Sequence, residues 1–145
     1  MRFRVEAVCI SNKRGVPKKP VEEIELIKDF GIKGDAHAGQ GHRQISFLAA
    51  EDIEKKKGGG IDLKPGDFAE NMVTRGIDWS KVEIGGRVAI GEAEMEVTQI
   101  GKEGPTPQEI YDKVGKSIML EKGVFAKVLK GGIINAKSRG HYCIR

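Results

Sequence analysis

Val82-Glu83-Ile84-Gly85-Gly86-Arg87-Val88-Ala89-Ile90-Gly91-Glu92-Ala93-Glu94-Met95-Glu96-Val97-Thr98-Gln99-Ile100 holds three short apolar pieces, parted by Gly85-Gly86 and Gly91-Glu92. In the last piece Ala93, Met95 and Val97 alternate with Glu94, Glu96 and Thr98. That two-residue period is the mark of a strand buried on one face. Spacers this short between strand-like runs predict hairpins, and hairpins in series predict an antiparallel β architecture.

The same period recurs on both sides. Residues 3–9 place Phe3, Val5, Ala7 and Cys9 on one face and Arg4, Glu6 and Val8 on the other. Residues 21–27 read as a strand around Ile24 and Leu26, and residues 43–48 as another around Ile45 and Phe47. Residues 68–74 are an apolar run interrupted by Glu70 and Asn71, with Trp79 beyond it as a cap on the core. Downstream, Val124, Ala126 and Val128 alternate with Phe125, Lys127 and Leu129, and Gly131-Gly132 turns the chain into Ile133-Ile134. Residues 135–145 show no apolar period and read as a frayed tail.

Helical signals are few. Residues 48–57 carry Glu51 and Asp52 early and Lys55, Lys56 and Lys57 late, an order that complements the helix dipole, before Gly58-Gly59-Gly60 stops the helix. The lysine run is thereby explained structurally. Thr106-Pro107-Gln108-Glu109 reads as a capping box, threonine at N-cap, proline at N1 and glutamate at N3. It opens a helix to about Val114 with Ile110, Tyr111 and Val114 packed. Many short strands with two or three short helices predict one mainly β domain over residues 1–145, a closed or nearly closed barrel.

Composition narrows the function classes. No run approaches membrane-spanning length, and the two cysteines, Cys9 and Cys143, form neither a CxxC nor a zinc spacing. Charges at Arg2, Arg4 and Glu6 argue against a secretory leader, so a reduced, cytoplasmic, soluble protein is expected. A net charge of +4 suits an anionic ligand. Nucleic acid is not expected, because aromatics are few and none interleaves the lysines.

The chemistry concentrates in residues 30–44, which hold four glycines with Asp35, His37, His42 and Arg43. On its own this stretch reads equally as a site or as a decorated surface turn. A metal site built from Asp35, His37 and His42 lacks any supporting motif, and none is expected. An imidazole oriented by Asp35 could do acid–base work, although no serine or cysteine is marked as a nucleophile. Anion capture is the most natural chemistry, from loop amides, Arg43 and Lys102 beside a helix N-terminus. Glu70 and Asn71 join as ligands or orienting groups if they face the same cavity. The cations of residues 11–20 read as a solvated surface.

Five segments in order then carry a resemblance. They are Gly31-Ile32-Lys33-Gly34-Asp35-Ala36-His37-Ala38-Gly39, His42-Arg43-Gln44-Ile45-Ser46, Leu63-Lys64-Pro65-Gly66-Asp67-Phe68-Ala69-Glu70-Asn71, Val97-Thr98-Gln99-Ile100-Gly101-Lys102-Glu103, and Gly123-Val124-Phe125-Ala126-Lys127-Val128-Leu129 with Gly131-Gly132. Together they resemble the MOSC domain, the C-terminal domain of molybdenum cofactor sulfurases, in its short standalone bacterial form. The resemblance implies a β-barrel and a role with the molybdenum cofactor, binding the pterin or its metal, or carrying sulfur in metal–sulfur centre assembly. It implies a sulfur-donating or molybdoenzyme protein as partner. The alternative is a sulfur transferase or a component of a cofactor-dependent reductase. Pyridoxal phosphate belongs to a separate domain of the sulfurases and is not expected here. Such domains carry a cysteine after the Gly-Lys-Glu step, often with a second close by. Here Gly104 and Gln108 stand in those places. Ligand contact is therefore assigned to His37, His42, Arg43 and Lys102, orientation to Asp35 and Asn71, with Glu70 as a further candidate.

Overall fold

The computed structural model describes residues 1–39 and 41–144, so Gln40 of the glycine loop and Arg145 of the tail lie outside the described residues. Eleven strands and three α-helices follow in the order β1 (Arg2–Ile10), β2 (Lys19–Val21), β3 (Glu23–Ile27), β4 (Gly31–Ile32), β5 (Ile45–Ala49), α1 (Ala50–Lys57), β6 (Met72–Arg75), β7 (Arg87–Ile90), β8 (Ala93–Ile100), α2 (Gln108–Val114), α3 (Met119–Lys122), β9 (Val124–Lys130), β10 (Gly132–Asn135) and β11 (Arg139–Cys143).

Seven of these strands close into a barrel. Around it run β1, β11, β7, β8, β9, β5 and β6, and the last pairs with β1 again. β2 takes the β11 edge of β1 further along the strand, at Val8 to Ile10. The pairs are antiparallel except β5 with β6, where α1 supplies the crossover that a parallel pair requires. A second sheet, β10-β3-β4, adds Ile24, Leu26, Ile32 and Ile134 to the barrel core. The mainly β barrel expected from the hairpin pattern is the observed fold.

Two apolar clusters lie on the two faces of this sheet. Phe3, Val5, Val8, Phe47, Trp79, Met95, Val97 and Val128 fill the interior. Ala7, Cys9, Leu48, Ile53, Phe68, Val73, Ile110, Met119 and Phe125 form a second layer beneath the helices. This explains why β5 is buried at every position instead of alternating. It also corrects the reading of β1 as one apolar face. A bulge between Val5 and Ala7 shifts the register, so Val8 joins Phe3 and Val5 inside while Ala7 and Cys9 turn toward the helices.

Four further expectations are corrected. Residues 82–84 are not a strand; a short 3-10 turn at Trp79–Lys81 leads into an irregular segment with Ile84 exposed. The capping box does not form: Pro107 occupies the N-cap, and the Thr106 hydroxyl accepts from Ser117 N at 3.0 Å, tying down the far end of α2 instead. Tyr111 is exposed rather than packed, because α2 buries only Ile110 fully. The tail is not frayed. β11 pairs with both β1 and β7 and closes the barrel, with Gly140 and Tyr142 buried between exposed neighbours. Its apolar period is invisible because one inward position is glycine, left bare to accept the Phe3 ring, where an added Cβ would sit 2.2 Å from Phe3 Cζ.

Candidate functional site

The glycine loop, the turn 63–70 and the segment 101–120 converge on one cleft over the outer face of β5 and β9. Its inner chamber, 260 Å³, is walled by Phe68, Met119, Leu120 and Phe125, with Ser46 and Asn71 on its floor and Pro105 to Pro107 along one side. A more polar outer chamber, 360 Å³, is lined by Arg14, Gly41 and His42. His37, Arg43, Lys102 and Phe125 border both. Their size suits a small molecule.

Local chain geometry delivers the cations. Gly31 adopts a φ of +124° and brings the two limbs of the loop so close that a Cβ there would lie 3.0 Å from the Gln44 carbonyl. Gln44 locks the second limb: its side chain donates to Gly41 O and accepts from Val128 N at 2.9 Å. Arg43 is thereby held over the Phe125 ring, 5.9 Å from its centroid, a cation–π geometry. Gly101, with a φ of +69°, packs its Cα against the Leu120 carbonyl, and Lys102 N donates to that carbonyl at 2.9 Å. Lys102 is half-buried and forms no ion pair among the described residues; burial first, then Arg43 and Lys18, lower its pKa.

Asp35 anchors the loop. Its carboxylate is fully buried, accepting from Lys18 Nζ at 2.7 Å, Ser11 N at 3.2 Å and His37 N at 3.1 Å. Lys18, read from the sequence as part of a solvated cationic surface, is buried instead. Its Nζ also lies 3.0 Å from His37 Nδ1. Burial and then this ammonium push the His37 pKa down to about 4. The sequence hint for Lys18 was its place between Pro17 and Pro20, which deny the segment helical structure and leave it extended against the next turn.

The remaining candidates divide. His42 borders the outer chamber, with Nε2 2.7 Å from Gln99 Oε1 and its carbonyl held by the Thr98 hydroxyl. Asn71 lies on the inner floor, yet its side chain serves the fold: Oδ1 accepts from Ser46 N at 3.0 Å and Nδ2 donates to Cys9 O at 3.1 Å. Glu70 is fully buried and turned onto its own turn, accepting from Gly66 N at 2.7 Å and Phe68 N at 3.1 Å; burial raises its pKa to about 7. That bond pair, with Ala69 at a φ of 64°, shapes the loop that presents Phe68 to the cleft. Residues missed as site candidates in the sequence include Arg14, Lys18, Ser117 and Phe125. Arg14 and Lys18 read as solvated surface, Ser117 lies in no motif and Phe125 reads as one more strand residue, so only packing brings them to the site.

Among the described residues no group of three or more His, Cys, Asp or Glu side chains is placed to hold a metal ion. Cys9 is buried, which raises its thiol pKa, and Cys143 is exposed on β11 opposite Arg87; neither borders the cleft. No helix among the described residues is long and apolar enough to cross a membrane.

Comparison with known proteins agrees with this architecture. The fold is similar to that of the YUAD protein from Bacillus subtilis, with a TM-score of 0.82 at 16% identity over 98% of this chain and 96% of that one. It is also similar to YiiM from Geobacillus stearothermophilus, TM-score 0.71 at 17% identity, covering 97% of this chain and 75% of that one. YiiM from Escherichia coli gives a TM-score of 0.65 at 20% identity, covering 100% of this chain and 71% of that one. No curated protein matches the sequence. The MOSC domain family description matches residues 34–137, well over half the chain. That span takes in β5 to β10 and most of the residues lining the cleft, and the chain belongs to the MOSC domain family.

Proposed function

We propose that the cleft binds a small anionic ligand of the molybdopterin or oxyanion type and that the protein serves in metal–sulfur cofactor handling. One observation carries this reading. Arg14, Arg43 and Lys102 meet His37 at a cavity with no carboxylate among its described lining residues, and Asp35, bonded to His37 N, is already paired with Lys18. Unopposed cations beside low-dielectric walls favour an anion strongly.

The donor set fits an organic phosphate better than a bare metal ion. Phe68, Leu120 and Phe125 would flank a planar ring, and Arg43 with Lys102 would hold its phosphate. A molybdenum centre, when present, would come on the ligand's own sulfurs, since the described residues offer no metal-ligating cluster. Because neither cysteine borders the cleft, the proposed role is binding and presentation rather than persulfide carriage.

The test is titration calorimetry with molybdate, tungstate and a pterin phosphate. Arg43→Ala is expected to weaken binding by about 1.5–3 kcal/mol, the worth of a charge-assisted hydrogen bond. Arg43→Lys, which keeps charge but loses the planar fork, should fall between. Unchanged affinity in a folded Arg43→Ala protein rejects the assignment.

A further inference from the structure

We propose that Lys18 is a positioning residue: its buried ammonium holds His37 as a neutral imidazole and offers the Nε2–H of that ring to a hydrogen-bond acceptor of the ligand. The inference rests on the anion-binding reading of the cleft and adds what the ligand must present there.

The argument is one of donors and acceptors. An ammonium carries donors only, so the His37 Nδ1 atom 3.0 Å from Lys18 Nζ must be the unprotonated nitrogen. The single ring proton then belongs on Nε2. Asp35 cannot reverse this, since its Oδ2 lies 3.8 Å from Nδ1, beyond hydrogen-bonding reach, and is engaged by His37 N. Lys18 itself has no freedom to withdraw. Its side chain is 1% exposed, tied to Asp35 Oδ1 at 2.7 Å, and its backbone N donates to Gly66 O at 2.8 Å.

The ring's far edge is the one left for a ligand. His37 borders both chambers, and Nε2 has no hydrogen-bond partner among the described residues. The charged groups acting on the ring are Lys18 from the segment before β2, Arg14 from the same segment, Lys102 after β8, and Asp35 in its own loop. Three of the four are cations, and the one anion is neutralised by Lys18. Protonation would add a charge to this cluster, so the ring stays neutral and acts as a donor without becoming a general acid. The ligand atom beside His37 is therefore a hydrogen-bond acceptor, such as an oxygen of phosphate or molybdate, and not an amine or amide N–H.

Heteronuclear NMR of the labelled imidazole in the ligand-free full chain tests this, with the His37 signal assigned by its loss in His37→Gln. The expected spectrum shows an unprotonated Nδ1, a protonated Nε2 and a titration midpoint near 4. A ring protonated on Nδ1, or a midpoint near the ordinary value of about 6.5, overturns the proposal without any variant being needed. In Lys18→Met the freed Nδ1 faces an unpaired Asp35 while burial still acts on the ring, and the midpoint is expected to rise from its wild-type value. An unmoved midpoint in a folded variant also overturns it. Molybdate or phosphate should shift the Nε2–H resonance of the wild-type ring. Ligand binding that leaves Nε2–H untouched refutes the donor role, whereas no binding with the tautomer intact refutes the anion-cleft reading instead.

Discussion

Asn71→Ala is the perturbation whose cost can be worked most directly from the structure. Asn71 is 1% exposed and, just before β6, ties β5 to β1. Oδ1 accepts from the Ser46 backbone N of β5 at 3.0 Å and from the Ser46 hydroxyl at 3.3 Å, while Nδ2 donates to Cys9 O of β1 at 3.1 Å. The Asn71 backbone N donates to Ser46 Oγ and survives the change. Truncation leaves the buried Ser46 N–H without its acceptor, at about 1–3 kcal/mol, and removes two more bonds at about 1 kcal/mol each. The expected loss is about 3–5 kcal/mol, a large share of the stability of a domain of this size. In thermal unfolding that amounts to a fall of roughly 6–20 °C. Urea unfolding monitored through Trp79 should show the midpoint drop with an unchanged slope. Asn71→Asp discriminates further: it retains the acceptor for Ser46 N but sets a carboxylate oxygen against Cys9 O, so it should also destabilise, and less so at acid pH where the acid is protonated. A loss below about 1 kcal/mol for Asn71→Ala would refute the view that this side chain serves the fold, and would return it to the ligand.

Glu70→Gln leaves Gly66 N or Phe68 N facing an amide donor, and should cost about 1–3 kcal/mol in denaturant unfolding. Its pH dependence has a definite sign. The folded pKa of Glu70 is raised from 4.5 to about 7, so its protonated form stabilises the fold below about 4.5 and that contribution is lost as pH rises through about 7. The cost of Glu70→Gln should thus be larger at pH near 5 than near 8, and a cost independent of pH would contradict this. Gly140→Ala drives a methyl into the Phe3 ring and should destabilise by about 1–3 kcal/mol, with Phe3→Leu relieving part of it in the double variant. Strict additivity of the two changes, measured by unfolding, would mean that β11 does not seat against Phe3 as described.

Sequence alone determined the class of the fold and the loop whose His37, His42 and Arg43 border the cleft. Strand periods at Ala93 to Val97 and at Val124 to Val128 depend on local alternation, which any reader of the chain can count, and these became β8 and β9. The same holds for α1, whose charge order and glycine stop are local signals. The glycine loop was legible because four glycines among polar residues have no place in a core. Tertiary structure decided what depends on a partner distant in sequence. The apolar faces of β1 exchange at a bulge that only pairing with β6 creates. β11 is a strand because Phe3 and Gly86 receive its Gly140 and Tyr142, not because its own residues favour one. Lys18 and Asp35 are 17 residues apart, and a lysine reads as surface until a buried carboxylate is placed 2.7 Å from it. Burial of polar groups is a property of their partners, so Asp35, Glu70 and Asn71 could be named as important from the sequence while their duty to the fold could not.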